Sequence, residues 1–291
     1  MRSRRLIDEP SFEEAHLDFD TKLRRYTTTQ RGRKALSDSA KMNMREDAAM
    51  SLKATNAWAR IAYMKSALAA FDRYLESRGS IEPAFFVSIA PSNLAFNFGQ
   101  ELPDWERDRF DISAMFARAH SFGAFDVAYY GNVNTTGQIG TTMLSMHGHH
   151  LVWGMKQEKL EELKSQYNLE KRSALPPSLA FDFIPARLTE HIIYLLKAPI
   201  REYRRDRRSV EEVRRSSAGG AGRRAGPWKR DLRPKDAAKM SNLLADVTIP
   251  NWTVCTGDGI QLAEEVREDT ARRLERDQAA RLARFRSLLS M

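Results

Sequence analysis

Between residues 81 and 200 the chain alternates between short apolar segments and longer amphipathic ones, and this alternation restricts the fold more than composition does. Residues 84–90 are rich in Phe, Val and Ile and lie between Pro83 and Pro91, which is typical of a buried strand. The predicted elements, in order, are a strand at 84–90, a helix at 105–120, strands at 125–130 and 143–153, a helix at 158–167, a strand at 179–184 and a helix at 188–198. The chain therefore has the order β-α-β-β-α-β, followed by one more helix.

This order of elements matches the ferredoxin-like topology. We predict an α+β fold in which a four-stranded, ferredoxin-like antiparallel sheet carries helical N- and C-terminal extensions. The N-terminal region begins polar and weakly periodic and then acquires helical spacing, so we expect it to be helical and partly disordered. The predicted regions are 1–80 (helical or partly disordered), 81–200 (the central domain), 201–232 (a basic extension and flexible linker) and 233–291 (C-terminal and helical).

Composition narrows the class of partner and the compartment. Lysine and arginine number 47 against 38 acidic residues, and a net charge of +9 suits a polyanionic partner such as nucleic acid. The sequence has no apolar run near the roughly 20 residues that span a bilayer, and no apolar segment follows its basic start. We therefore expect no membrane partner and a cytoplasmic location. The single cysteine, Cys255, excludes an internal disulfide framework.

Histidines cluster in the predicted strand at 143–153. Side chains at positions i and i+2 of a strand point to the same face, so His147 and His149 would project together, while His150 would point to the opposite face. Two imidazoles on one face provide half of a site for a divalent metal ion. The strand therefore predicts a metal site.

A tyrosine and a lysine follow on the last predicted helix of the central domain. Tyr194 and Lys197 are three residues apart and would be neighbours on the helix surface. A phenol with a pKa near 10 is a poor nucleophile at neutral pH unless it is assisted. A nearby ammonium favours the phenolate, and a metal ion that polarises a phosphate lowers the demand on the nucleophile. Tyr194 is thus a candidate nucleophile, and Lys197 its assistant.

Taken in order, residues 86–90, the His147/His149 strand and Tyr194-x-x-Lys197 resemble the three motifs of HUH-type single-strand endonucleases. The chain is most similar to the rolling-circle replication initiator (Rep) proteins of plasmids and phages, over residues 81–200. The resemblance implies that His147 and His149 bind Mg²⁺ or Mn²⁺. It also implies that Tyr194 attacks a DNA phosphate, which leaves a 5′-phosphotyrosyl link and a free 3′-hydroxyl, while Lys197 positions or neutralises the phosphate. Tyr203 lies nine residues further on, so a one-tyrosine enzyme is expected.

The family usually supplies a third, often acidic, metal ligand, and its position is open in this sequence. The strand at 125–130 offers Asp126, and the tyrosine helix offers Glu190 and His191 one turn before Tyr194. We keep all three residues as candidates.

An arginine-rich stretch follows Pro199 and is predicted to be a helical extension. It would bind the DNA backbone or remain a solvated basic helix. The candidate DNA-binding residues are Arg201, Arg204, Arg205, Arg207 and Arg208. The sequence has no Gly-x-x-x-x-Gly-Lys-Ser/Thr phosphate loop, so a replication role on single-stranded or origin DNA would require a helicase and a polymerase from the host.

Other functions remain open at this point. The same chemistry serves transposases and conjugative relaxases. A non-catalytic, basic DNA-binding replication regulator would use the histidines only as core residues. A zinc hydrolase is disfavoured because no His-Glu-x-x-His helix occurs.

Overall fold

The computed structural model describes residues 8–97, 99–135, 138–173, 179–204 and 228–289. These residues form helices α1 (Glu9–Thr27), α2 (Gln30–Ala35), α3 (Asp38–Asn43), α4 (Ala57–Arg78), α5 (Trp105–Met115), α6 (Gln157–Glu170), α7 (Leu188–Leu195), α8 (Pro234–Leu243), α9 (Ile249–Trp252) and α10 (Asp258–Leu289). The strands are β1 (Ala84–Ile89), β2 (Ala95–Asn97), β3 (His120–Thr135), β4 (Gln138–Trp153), β5 (Phe181–Pro185), β6 (Arg201–Arg204), β7 (Trp228–Asp231) and β8 (Thr253–Thr256). The predicted α+β class is confirmed.

The strands form one mixed sheet in the order β5-β1-β4-β3-β6-β7, with β2 paired to β4 and β8 paired to β3. The pairs are antiparallel except for β3 and β6, which run parallel. The expectation of a four-stranded, wholly antiparallel sheet was therefore wrong. Strands β3 and β4 have 16 residues each, and three additional strands pair with them: β2 with Met143–Ser145 of β4, β6 with Tyr129–Gly131 of β3, and β8 with Ser121–Ala124 of β3.

The chain after α7 also departs from the prediction. The helix that contains Tyr194 ends at Leu195 rather than at residue 198. Arg201–Arg204 form strand β6 and not a basic helix, because their backbone groups pair with β3 on one side and β7 on the other. The rest of the predicted basic extension, residues 205–227, lies outside the described residues.

The N-terminal region, expected to be helical and partly disordered, is helical from Glu9 to Asn43 apart from short turns. Helix α1 begins with a capping box, in which Asp8 accepts from the backbone N–H of Ser11 and Ser11 accepts from that of Asp8. Phe12 and Leu23 of α1 are buried in the core. The first helices are therefore packed parts of the fold.

The sheet has an apolar core on each of its faces. One face packs against α5 and α6, with Ile112, Phe116 and Leu160 buried there. The other face, which we call the histidine face, carries Leu151 and Trp153 of β4 and is covered by α4, α7 and α10. Among the described residues no helix is long and apolar enough to span a membrane.

Candidate functional site

The two histidines of β4 lie on the histidine face, as the alternation of the strand predicts. His147 stands directly opposite Asp126 of β3, and His149 stands opposite Ser88 of β1. Asp126 and His149 are buried, and the side chain of His147 is 12 % exposed. One potential ligand atom from each of Asp126, His147 and His149 lies within 4.8 Å of the other two. The sheet register thus assembles a cluster of three metal-binding side chains, which we call the metal triad.

Each histidine of the metal triad is anchored through Nδ1. His147 Nδ1 donates to the carbonyl oxygen of Ser145 at 3.1 Å, and His149 Nδ1 shares a hydrogen bond of 3.0 Å with Ser88 Oγ. His149 Nε2 is buried and has no hydrogen-bond partner within the described part of the chain. Metal-binding histidines are commonly held in this way, with one ring nitrogen fixed by a second group and the other free for the ion. The orphaned nitrogen therefore fits a metal ligand.

The protonation states also fit a cation site. Burial lowers the pKa of His147, and it lowers the pKa of His149 still further, so both rings stay neutral at physiological pH. Burial alone would raise the pKa of Asp126, but Lys197 and His147 outweigh it and lower that pKa. The metal triad thus consists of two neutral imidazoles and one carboxylate, a donor set that could hold a divalent metal ion.

Lys197 joins this site although it lies beyond the end of α7. Its ammonium forms a buried ion pair with Asp126 Oδ2, and Nζ lies 4.1 Å from the centroid of the Tyr194 ring. Burial would lower the pKa of Lys197, but Asp126 and Tyr194 outweigh it and raise that pKa. Lys197 is thus a charged group between the metal triad and the tyrosine.

Tyr194 lies against the metal triad. Its ring centroid is 5.1 Å from that of His149 and 5.8 Å from that of Phe86. The positive charge of Lys197 lowers the pKa of Tyr194, against the opposing effect of burial. The residue predicted as a nucleophile therefore sits beside the predicted metal ligands, in an environment that favours its phenolate.

Glu190 and His191, kept as candidate third ligands, are not part of the metal triad. Glu190 faces Arg187 at 3.5 Å. The His191 ring stacks on Phe86 at 4.2 Å, and its Nδ1 accepts from the backbone N–H of Arg187. The structure does not bring either side chain into the metal triad, and Asp126 is the candidate that lies in it.

A second tyrosine, set aside in the sequence because of its spacing, reaches the site through the unexpected strand β6. Tyr203 shares a hydrogen bond with Tyr194, and burial raises the pKa of Tyr203. Lys229 of β7 lies 5.2 Å above the Tyr203 ring. The predicted helix after Pro199 would have carried Tyr203 elsewhere, so only the strand assignment reveals this contact.

The candidate DNA-binding arginines are only partly described. Arg201 and Arg204 begin and end β6, next to the site, while Arg205, Arg207 and Arg208 lie outside the described residues. A different arginine, Arg60 of α4, is 5 % exposed and close enough to Asp126 to lower the pKa of that carboxylate. Two buried cations, Arg60 and Lys197, therefore accompany one buried carboxylate.

Buried positive charge in excess, beside a tyrosine with a lowered pKa, is a chemical setting for an anionic substrate. No protein-family model, no curated protein and no solved structure matches the chain.

Proposed function

We propose that the protein is a metal-dependent endonuclease that nicks single-stranded DNA with Tyr194 and so initiates rolling-circle replication. The observation that carries this proposal is the contact between Tyr194 and His149, at 5.1 Å between ring centroids. The two residues come from distant parts of the chain. Asp126 of β3 meets them at the same point, together with Lys197, which follows Tyr194 by three residues.

The topology around the site supports the same proposal. Strands β5, β1, β4 and β3 are adjacent and antiparallel, and α5 and α6 lie in the β1–β3 and β4–β5 connections. This order is similar to that of a ferredoxin-like sheet, the type on which HUH-type endonucleases are built, although here it is part of a larger mixed sheet. The histidines lie on a central strand, and the tyrosine helix crosses the same face. Fold similarity alone would not assign a function, so the proposal rests on the side chains that meet at the site.

Asp126, His147 and His149 would hold the ion. A bound Mg²⁺ or Mn²⁺ supplies a Lewis acid that polarises a phosphate oxygen. With the ion bound, the site would have a strong excess of positive charge from Lys197 and Arg60 in addition to the metal. A phosphodiester together with a tyrosine phenolate would balance most of that charge.

Lys197 would favour the phenolate of Tyr194, which loses its proton to solvent before attack. The phenolate oxygen then forms a bond to phosphorus as the bond between phosphorus and O3′ breaks. The O3′ oxygen keeps the electron pair of that bond and takes a proton from water to become a free 3′-hydroxyl. The product is a 5′-phosphotyrosyl link, and the ammonium of Lys197 would offset charge on the phosphate throughout.

The decisive experiment is incubation with single-stranded DNA and Mn²⁺, followed by denaturing electrophoresis and mass spectrometry of the adduct. We expect a covalent adduct on Tyr194 that disappears in Tyr194→Phe and in the presence of a chelator. Tyr167→Phe is a matched control, because Tyr167 packs against Phe181 away from the metal triad. An adduct formed equally well by Tyr194→Phe would refute the assignment of the nucleophile.

The ion pair between Asp126 and Lys197 also supports a second candidate, a DNA-binding protein without catalysis, because it satisfies the carboxylate within the chain. That protein would bind DNA in a salt-sensitive manner but would show no Mn²⁺ binding by calorimetry and no strand breakage. If the protein does nick DNA, cutting at a double-strand origin indicates replication. Cutting at element ends or at a transfer origin indicates a transposase or a relaxase.

A further inference from the structure

The segment that carries Lys197 is held by side chains from two N-terminal helices. Arg60 of α4 donates from Nη1 to the carbonyl oxygens of Leu196 and Lys197, at 2.8 and 2.9 Å, and from Nε to that of Ala54. Leu196 and Lys197 follow α7, which ends at Leu195, so their carbonyls have no partner within the helix. Arg60 therefore completes the hydrogen bonding of the turn that follows α7.

His16 of α1 holds the next residue. Its Nε2 accepts the backbone N–H of Ala198 at 3.0 Å, while Nδ1 donates to the carbonyl of Phe12 at 2.7 Å. The His16 ring is 1 % exposed and stacks on Phe12. The two bonds fix one tautomer, with the proton on Nδ1 and Nε2 left as an acceptor.

Both residues are buried at a cost in free energy. All three hydrogen bonds that Arg60 makes within the described residues end on backbone carbonyls, and none of them ends on a carboxylate. Burying a guanidinium without a directly bound anion is unfavourable unless its donors are satisfied. The group that this arrangement fixes is residues 196–198, the turn that follows the last residue of α7.

We propose that His16 and Arg60 are positioning residues, which hold this turn so that the Lys197 ammonium reaches both Asp126 and Tyr194. The proposal rests on the proposed function for its consequence in catalysis. It extends the working site to α1 and α4, outside the region 81–200 that resembles a nuclease domain. The ligands of the metal triad lie on β3 and β4, so loss of the positioning residues should leave metal binding largely intact.

A matched pair of variants tests His16. His16→Gln keeps an acceptor near the position of Nε2, whereas His16→Asn keeps a donor to Phe12 but is too short to reach Ala198. In the full-length protein we expect His16→Asn to lose hydrogen-exchange protection at the Ala198 amide. We expect it to form the DNA adduct at least tenfold more slowly at saturating DNA, with Mn²⁺ affinity changed less than about threefold. His16→Gln should retain the protection and most of the rate.

Arg60→Lys is the second test, because one ammonium cannot donate in the directions of a guanidinium. We expect Arg60→Lys to slow formation of the DNA adduct as much as His16→Asn does. The variant keeps the positive charge, and its thermal transition should remain cooperative. Equal rates in wild type, His16→Asn and Arg60→Lys would overturn the positioning role, as would equal losses in His16→Gln and His16→Asn. If wild type itself forms no adduct and binds no Mn²⁺, the proposed function fails, and the exchange of the Ala198 amide still reports whether His16 holds the turn.

Discussion

His150 is the histidine of β4 that points away from the metal triad. It is fully buried, lies 5.6 Å from the ring of Phe116, and has no hydrogen-bond partner for either ring nitrogen within the described part of the chain. Burial lowers the pKa of His150 to about 3, so the ring is neutral in the folded protein. A buried polar group without partners costs about 1–3 kcal/mol. His150 therefore makes the folded protein less stable, and it has no role in the proposed chemistry.

Replacing His150 with leucine should stabilise the protein. We expect His150→Leu to raise the free energy of unfolding by about 1–2 kcal/mol at pH 7, because the unsatisfied nitrogens are removed. A folded-state pKa of about 3 against about 6.5 in the unfolded chain means that only the unfolded state takes up the proton between these values. Between pH 6 and 4 the free energy of unfolding of the variant should therefore fall by about 1.4 kcal/mol less per pH unit than that of wild type.

Denaturant unfolding of both proteins at several pH values checks this expectation. Lys197 and the metal triad are untouched, so Mn²⁺ binding serves as a control for the histidine face. A variant that is less stable than wild type at pH 7 would show that the ring of His150 contributes packing that outweighs its unsatisfied nitrogens.

At the level of elements, the register of β3 and β4 determines both faces of the sheet. It places Asp126 opposite His147 on one face and Gly123 opposite His150 on the other. A side chain at Gly123 would collide with the His150 ring, since a Cβ there would lie 1.9 Å from Nδ1. Gly123 is thus required by a close approach across the strand pair.

Gly123→Ala tests this register. We expect a loss of about 1–3 kcal/mol in the free energy of unfolding, because an added methyl overpacks the core. The double variant Gly123→Ala/His150→Ala removes the ring that the methyl meets, so it should be less destabilised than the sum of the two single changes. Additive losses in this double-mutant cycle, measured by chemical denaturation, would contradict the contact.

The sequence predicts the elements of this sheet better than it predicts their pairing. The periodicity of residues 84–90 and 143–153 locates β1 and β4 and the shared face of His147 and His149. It does not identify β6, because arginine is a good helix former and only pairing with β3 makes Arg201–Arg204 a strand. For the same reason Asp126 could not be preferred over Glu190, since its position opposite His147 is a property of the register.

At the level of the whole molecule, the histidine face depends on helices from both ends of the chain. Tyr63 and Phe71 of α4 and Leu262 and Val266 of α10 are buried in the core on that face. Helix α4 also packs extensively against α10. The region 81–200, expected to be a domain by itself, supplies strands β1 to β5 of the eight described strands and only one of the helices on this face, α7.

We therefore expect a fragment of residues 81–204 to fail to fold on its own. Removing α4 and α10 would expose a large apolar area. Each large apolar side chain that is no longer buried would cost about 1.5–3 kcal/mol of folding free energy. Circular dichroism and proteolysis of the fragment, beside the full-length protein, check this. A fragment with a cooperative thermal transition would show that the sheet is autonomous and that the outer helices are accessory.

The ion pair between Lys197 and Asp126 has a consequence for the folding of the chain. Burying a carboxylate beside two neutral rings is unfavourable unless a cation neutralises it. Here the polypeptide carries its own neutralising group, the ammonium of Lys197, so folding would not require a bound metal ion.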